Sequence, residues 1–248
     1  MTTTALQEID ESESTFDTAA FARHALASRH VLASVIDHTL LKPDATREQV
    51  LKLCSEAAEY RFACAMVNPG WVTTAYAALA GTGVPVGVVV GFPLGANLTI
   101  TKREEAAALV RLGAKELDMV LNIGLLKSGE NARVQNDIQG VAEIAHGAGA
   151  ILKVILETSL LNLEEKLRAS ELACLADADF LKTSTGFSTA GATAADVALL
   201  RGVAGGRCGV KASGGIRTLD DARVMLEAGA NRIGASASVA IVQALTAS

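Results

Sequence analysis

Eight short apolar or β-branched runs, each followed by a segment of helical period, predict a closed (β/α)8 barrel, a TIM barrel, with one additional N-terminal helix. Two further observations support this reading. The runs are apolar on both faces, as the strands of a helix-covered parallel sheet must be. The fingerprint GxGxxG is missing after the first run, which disfavours a doubly wound open sheet. At 248 residues, half of them hydrophobic and only 4% aromatic, the chain suits one domain with a core of Ala, Val, Leu and Ile.

Residues 1–15 are acidic and rich in Ser and Thr, without the basic and apolar regions of a signal peptide. They read as a flexible tail, which leaves 16–248 as the barrel domain. The additional helix is expected over Phe16–His30. Strands are expected around SVIDHT (34–39), FACAMVN (62–68), VGVVVG (86–91), ELDMVLN (116–122), LKVILE (152–157), DFLKTS (179–184), CGVKAS (208–213) and RIGASA (232–237). Helix starts are marked where a capping residue precedes a side chain able to cap in return: Thr46 with Gln49, Thr101 with Glu104, Asn162 with Glu165, and Thr218 with Asp221. Gly113, Gly149 and Gly229 stand where helices should end. Val134, Ile138, Val141 and Ala145 fall on one helical face, and Trp71 with residues 73–80 reads as ordinary helix packing.

A net charge of -5 with interspersed signs offers no footprint for nucleic acid and no polybasic membrane patch, so small diffusible partners are favoured. Cys54, Cys64, Cys174 and Cys208 lack CxxC spacing and suit the reduced thiols of a cytoplasmic protein. No apolar stretch reaches the ~20 residues that span a bilayer.

Lys153, Lys182 and Lys211 carry the chemical signal. They recur at one 29-residue step, inside ILKVILE, DFLKTSTG and CGVKASGG. A single lysine in an apolar strand is usually a snorkelling edge residue or half of an ion pair. Three at one strand-to-strand spacing place three amines around one cavity. Burial and a neighbouring ammonium both disfavour the charged form, which makes one of them a free amine and a nucleophile toward carbonyls. Strand alternation turns Asp118 inward, pairs Asp37 with Thr39, Lys153 with Glu157 and Lys182 with Ser184, and leaves Leu117, Met119 and Leu121 facing the helices. A structural ion-pair network is the plain alternative for the carboxylates. Beside two lysines, Asp118 suits a proton relay.

The late loops ASGGIRT and RIGASAS hold glycines that let backbone N–H groups approach an oxyanion, in the usual phosphate position of such a barrel, with Arg217 able to add a charged contact. His24, His30, His38 and His146 form no metal-ligand pattern. His38 has opposite parity to Asp37 and should face the helices, and no GxSxG elbow is present.

With IDHTLLKPDAT, GFPLGAN, LDMVLNIG, LKVILET, FLKTSTGF and VKASGGIRT in this order, the chain resembles the deoxyribose-phosphate aldolases from about residue 33 to its end. The resemblance implies reversible cleavage of 2-deoxy-D-ribose 5-phosphate to acetaldehyde and D-glyceraldehyde 3-phosphate through a Schiff base, with neither metal nor cofactor. It makes Lys182 the nucleophile, Lys211 its activating neighbour and Asp118 the proton-relay partner. Gly186, Gly214, Gly215, Gly234 and Ser236 would hold the phosphate, with Asp37, Thr39, Lys153, Thr185 and Arg217 completing the substrate contacts. A homo-oligomer is expected. Three departures stand out: Met66 replaces the cysteine of the family's VCVNP, GASAS replaces GxSS so that Ala237 offers only its N–H, and LTAS stands where some members end in tyrosine. A transaldolase-like Schiff-base enzyme and a non-catalytic sugar-phosphate-binding barrel are the alternative readings.

Overall fold

A computed structural model describes residues 16–246, so the tail expected over residues 1–15 lies outside the described residues. Eight parallel strands pair in chain order and close on themselves: β1 (Ile36–Leu40), β2 (Cys64–Val67), β3 (Val86–Val90), β4 (Glu116–Val120), β5 (Ile151–Ile155), β6 (Phe180–Lys182), β7 (Gly209–Ser213) and β8 (Arg232–Ala235). The helices following them include α3 (Arg47–Tyr60), α4 (Val72–Ala78), α5 (Thr99–Arg111), α6 (Ile123–Lys127), α7 (Asn131–Gly147), α8 (Leu163–Leu175), α9 (Ala194–Ala204), α10 (Leu219–Glu227) and α11 (Ser238–Ala244). Every expected strand is present.

The main core lies between sheet and helices, and includes Leu117, Met119, Val154, Leu181 and Val210 from the strands together with Val134, Ile138, Val141 and Ala145 of α7. Inside the barrel the two halves differ. The β1–β3 side carries a small apolar cluster of Leu41, Cys64, Met66 and Val89, with Phe92 packed on it. The interior charge comes from Asp37 of β1 and from strands β4 to β8.

Register sets that charge in place. Asp118 lies opposite Lys153, Lys182 opposite Lys211, and Gly234 opposite Asp37. Because side chains alternate across each strand, these residues all turn to the interior.

Three of the four expected capping boxes form, at Thr46, Asn162 and Thr218. The fourth does not. α5 begins at Thr99, after Leu98, without a side-chain cap, and Thr101 lies inside the helix. The single helix expected over Phe16–His30 is two, α1 (Thr18–Ala25) and α2 (Arg29–Ala33), because the Ser28 side chain accepts from Val31 N and starts a new helix. α1 packs on α10 and α2 on α11.

Candidate active site

Asp118 stands at the centre of a buried ionic cluster. Its Oδ2 accepts from Lys182 Nζ at 2.7 Å and Lys211 Nζ at 2.6 Å, and its Oδ1 from Lys153 Nζ at 2.9 Å. Lys211 Nζ also lies 2.5 Å from Asp37 Oδ2, and Lys153 Nζ 2.5 Å from Glu116 Oε2. Arg232 Nη1 closes the network from below, 2.7 Å from Asp37 Oδ1 and 3.5 Å from Glu116 Oε1. Asp37, Asp118, Lys153 and Lys211 are fully buried, and Lys182 is 3% exposed.

Such contacts split the three lysines. Burial pushes each of them down. For Lys153 the carboxylates of Asp118, Glu116 and Asp37 outweigh it and hold the amine well above its usual range, and for Lys211 those of Asp118 and Asp37 raise it. Lys182 has only Asp118 to oppose burial, while Lys211 and Lys153 repel its charge, and it falls to about 8. Of the two causes expected from the sequence, burial and a neighbouring ammonium, burial is the larger. Burial would also raise Asp118, but three ammonium groups hold it well below the usual carboxylate range.

Above the cluster opens a cavity of about 390 Å³, on the side of the strands' C-terminal ends. Of the three lysines only Lys182 reaches its wall. Thr39, Thr185, Gly186, Gly214, Gly215, Arg217, Gly234 and Ser236 line it as well. Asp37 and Lys153, expected to touch substrate, lie beneath this wall with Lys211 and Asp118. Gly214 and Gly215 adopt φ of 87° and 83°, and a side chain on Gly234 would press on Lys211 Cε at 3.0 Å, so glycine there leaves Lys211 its place. His38 faces the helices as its parity requires, 2.9 Å from Glu56.

Three residues of the site escaped the sequence reading. Glu116 and Arg232 share the inward parity of Asp118 and Gly234, a signal that was available. Glu157 was noted only for its parity with Lys153. Buried, with φ 55°, it accepts from both the backbone N–H and the hydroxyl of Thr185 and so fixes the loop after β6. Asp37, Cys64 and Glu116 do bring possible metal-donor atoms within 4.8 Å of one another. Their chemistry does not suit a cation, because both carboxylates already pair with lysine and arginine. The Cys64 thiol is pushed well up by burial, Glu116 and Asp37, although Lys153 and Lys211 act against this. Burial first, and then the two carboxylates, keep it protonated with two lysines close by.

A model of the DeoC/LacD family aldolases matches residues 31–244. The chain belongs to that family. Deoxyribose-phosphate aldolase from Bacillus mycoides is 56% identical over 211 residues, 85% of this chain and 94% of that protein, and the one from a Geobacillus species is 54% identical over 87% of this chain and 96% of its own. Among solved structures, the tetrameric deoxyribose phosphate aldolase of Aeropyrum pernix superposes with a TM-score of 0.85 at 37% identity, covering 92% of this chain and 96% of that one. In this DeoC/LacD aldolase the strands that bring Lys153, Lys182, Lys211 and Asp118 together are also those whose motifs carried the resemblance.

Proposed function

We propose that the protein is a class I aldolase that cleaves 2-deoxy-D-ribose 5-phosphate reversibly to acetaldehyde and D-glyceraldehyde 3-phosphate, with Lys182 as the Schiff-base nucleophile. The observation that carries this reading is the position of Lys182: it alone among three clustered lysines reaches the cavity, and its amine titrates near 8. As a free amine it adds to the C1 aldehyde, and the carbinolamine loses water to leave an iminium. The bond that breaks is C2–C3, because the two-carbon product carries C1 and C2. As the C3 hydroxyl gives up its proton, the C2–C3 electron pair moves into the iminium, leaving an enamine on Lys182 and releasing glyceraldehyde 3-phosphate. Protonation at C2 and hydrolysis then free acetaldehyde and the amine.

Asp118 and Lys211 serve these proton transfers. Held so acidic by its neighbours, Asp118 passes a proton on rather than storing it. Gly186, Gly214, Gly215, Gly234 and Ser236, with Arg217 at the rim, suit the 5-phosphate through backbone N–H groups and one charged contact. Thr39 and Thr185 line the cavity and suit contacts with the sugar hydroxyls, and Lys153 and Asp37 support the cluster from below. A homo-oligomer is in keeping with the tetrameric relative from Aeropyrum pernix. Among the described residues no helix is long and apolar enough to cross a membrane.

Borohydride reduction in the presence of acetaldehyde, followed by peptide mass mapping, tests the assignment. The adduct is expected on Lys182, and Lys182→Ala should neither trap substrate carbon nor release acetaldehyde from deoxyribose 5-phosphate. An adduct on Lys153 or Lys211 would overturn it.

A further inference from the structure

Seven charged side chains meet inside the barrel: the carboxylates Asp37, Glu116 and Asp118, and the cations Lys153, Lys182, Lys211 and Arg232. An unmatched charge in so dry a place is costly, so one cation is under pressure to lose its proton. Arg232 does not, since a guanidinium keeps its proton in proteins. Lys153 lies within 3.7 Å of three carboxylates and Lys211 within 2.6 Å of two. Lys182 touches Asp118 alone. It therefore holds its proton least.

We propose that Arg232, at the end of the barrel away from the cavity, is a positioning residue that keeps Lys182 in its nucleophilic free-amine form by supplying the fourth cation to an interior with three carboxylates, and that Glu116 acts in the opposite sense. The inference rests on the reading of Lys182 as the imine-forming amine. The geometry gives a route. Arg232 pairs with Oδ1 of Asp37 and Lys211 with its Oδ2 at 2.5 Å, so Asp37 is divided between two cations, and Lys211 also holds Asp118 Oδ2 at 2.6 Å, the same oxygen that Lys182 contacts. One carboxylate oxygen shared by two amines holds each less firmly. Without Arg232, Asp37 is free to take more of Lys211, and Asp118 is left to hold a charged Lys182.

The groups facing Lys182 across the interior are few. They are Asp37 from β1, Cys64 from β2, Glu116 and Asp118 from β4, Lys153 from β5, Lys211 from β7 and Arg232 from β8; β3 contributes only Val and Gly. Cys64 stays a neutral thiol because burial and the adjacent carboxylates push it up. Arg232 also sits over the Phe180 ring, 5.4 Å from its centroid, so a purely structural role must be separated from an electrostatic one.

The test follows reductive trapping of acetaldehyde on Lys182 as a function of pH in the full-length protein. For Arg232→Gln the midpoint should move to higher pH by on the order of one unit, with the high-pH limit near that of the parent. For Glu116→Gln it should move to lower pH, the double variant should return toward the parent, and Arg232→Lys should keep the parent's midpoint. Rates lowered equally at every pH, or shifts of the same sign in both single variants, would overturn the proposal. Should Arg232→Gln fail to fold, the direction of the Glu116→Gln shift decides alone. An adduct mapped to another lysine in the parent would instead refute the reading of Lys182.

Discussion

Met66 and Cys64 share the inward face of β2, and both are fully buried against Leu41 and Val89. Self-condensation of acetaldehyde followed by loss of water gives an unsaturated aldehyde that alkylates thiolates, and a thioether cannot form the same neutral adduct. The protein should therefore keep its activity in concentrated acetaldehyde longer than its own Met66→Cys variant, because Cys64, one step further from the mouth, stays protonated. Incubation followed by residual-activity assays checks this, and a mass adduct on Cys64 in the parent would count against it. The same residue scale explains what could be read in advance. Lys153, Lys182 and Lys211 declared themselves because each interrupts an apolar run. Glu116 and Arg232 open their strands, where a charge passes for a solvated end, so only their parity hinted that they turn inward.

At the level of elements, caps were legible when both partners of the box were polar and free to bond, as at Asn162 with Glu165 and Thr218 with Asp221. Thr101 carried the same pattern but lies two residues inside α5, because the chain leaving β3 turns helical earlier, at Thr99. Local spacing could not report that. The loop from β7 to α10 was better marked. Gly214 O accepts from Ala192 N at 3.0 Å, which joins this loop to the one following β6, and Gly215 points into open space with φ 83°. Gly215→Val therefore strains the backbone without a clash, at a cost of about 1–3 kcal/mol for a left-handed residue. If these N–H groups hold the phosphate, KM for deoxyribose 5-phosphate should rise several-fold more than KM for unphosphorylated deoxyribose. Equal losses on the two substrates would place the phosphate elsewhere.

Among the described residues, buried lysines occur in two separate places, and only one of them was visible from the sequence. The barrel interior is the first. The second lies outside the sheet, where Lys102 of α5, fully buried, donates to Asp137 Oδ2 of α7 at 2.5 Å and to Val120 O at the end of β4 at 3.0 Å. Lys102 stands in TKREE, a stretch that looks like a solvated helix face, so nothing local betrays its burial; the docking of α5 on α7 decides it. Burial lowers this lysine against the pull of Asp137, but the pair is remote from the cavity wall and belongs to the scaffold. Lys102→Met leaves Asp137 buried without its cation, a change that costs about 3–5 kcal/mol, while the double variant Lys102→Met, Asp137→Leu replaces both partners with apolar groups and should recover most of that loss. Denaturant unfolding measures the stability, and acetaldehyde trapping across pH on the folded fraction measures the chemistry. The single variant should lose stability while the midpoint of Lys182 stays where it is in the parent. A moved midpoint would mean that the outer pair and the inner cluster are coupled through β4, and the division between scaffold and site would fail.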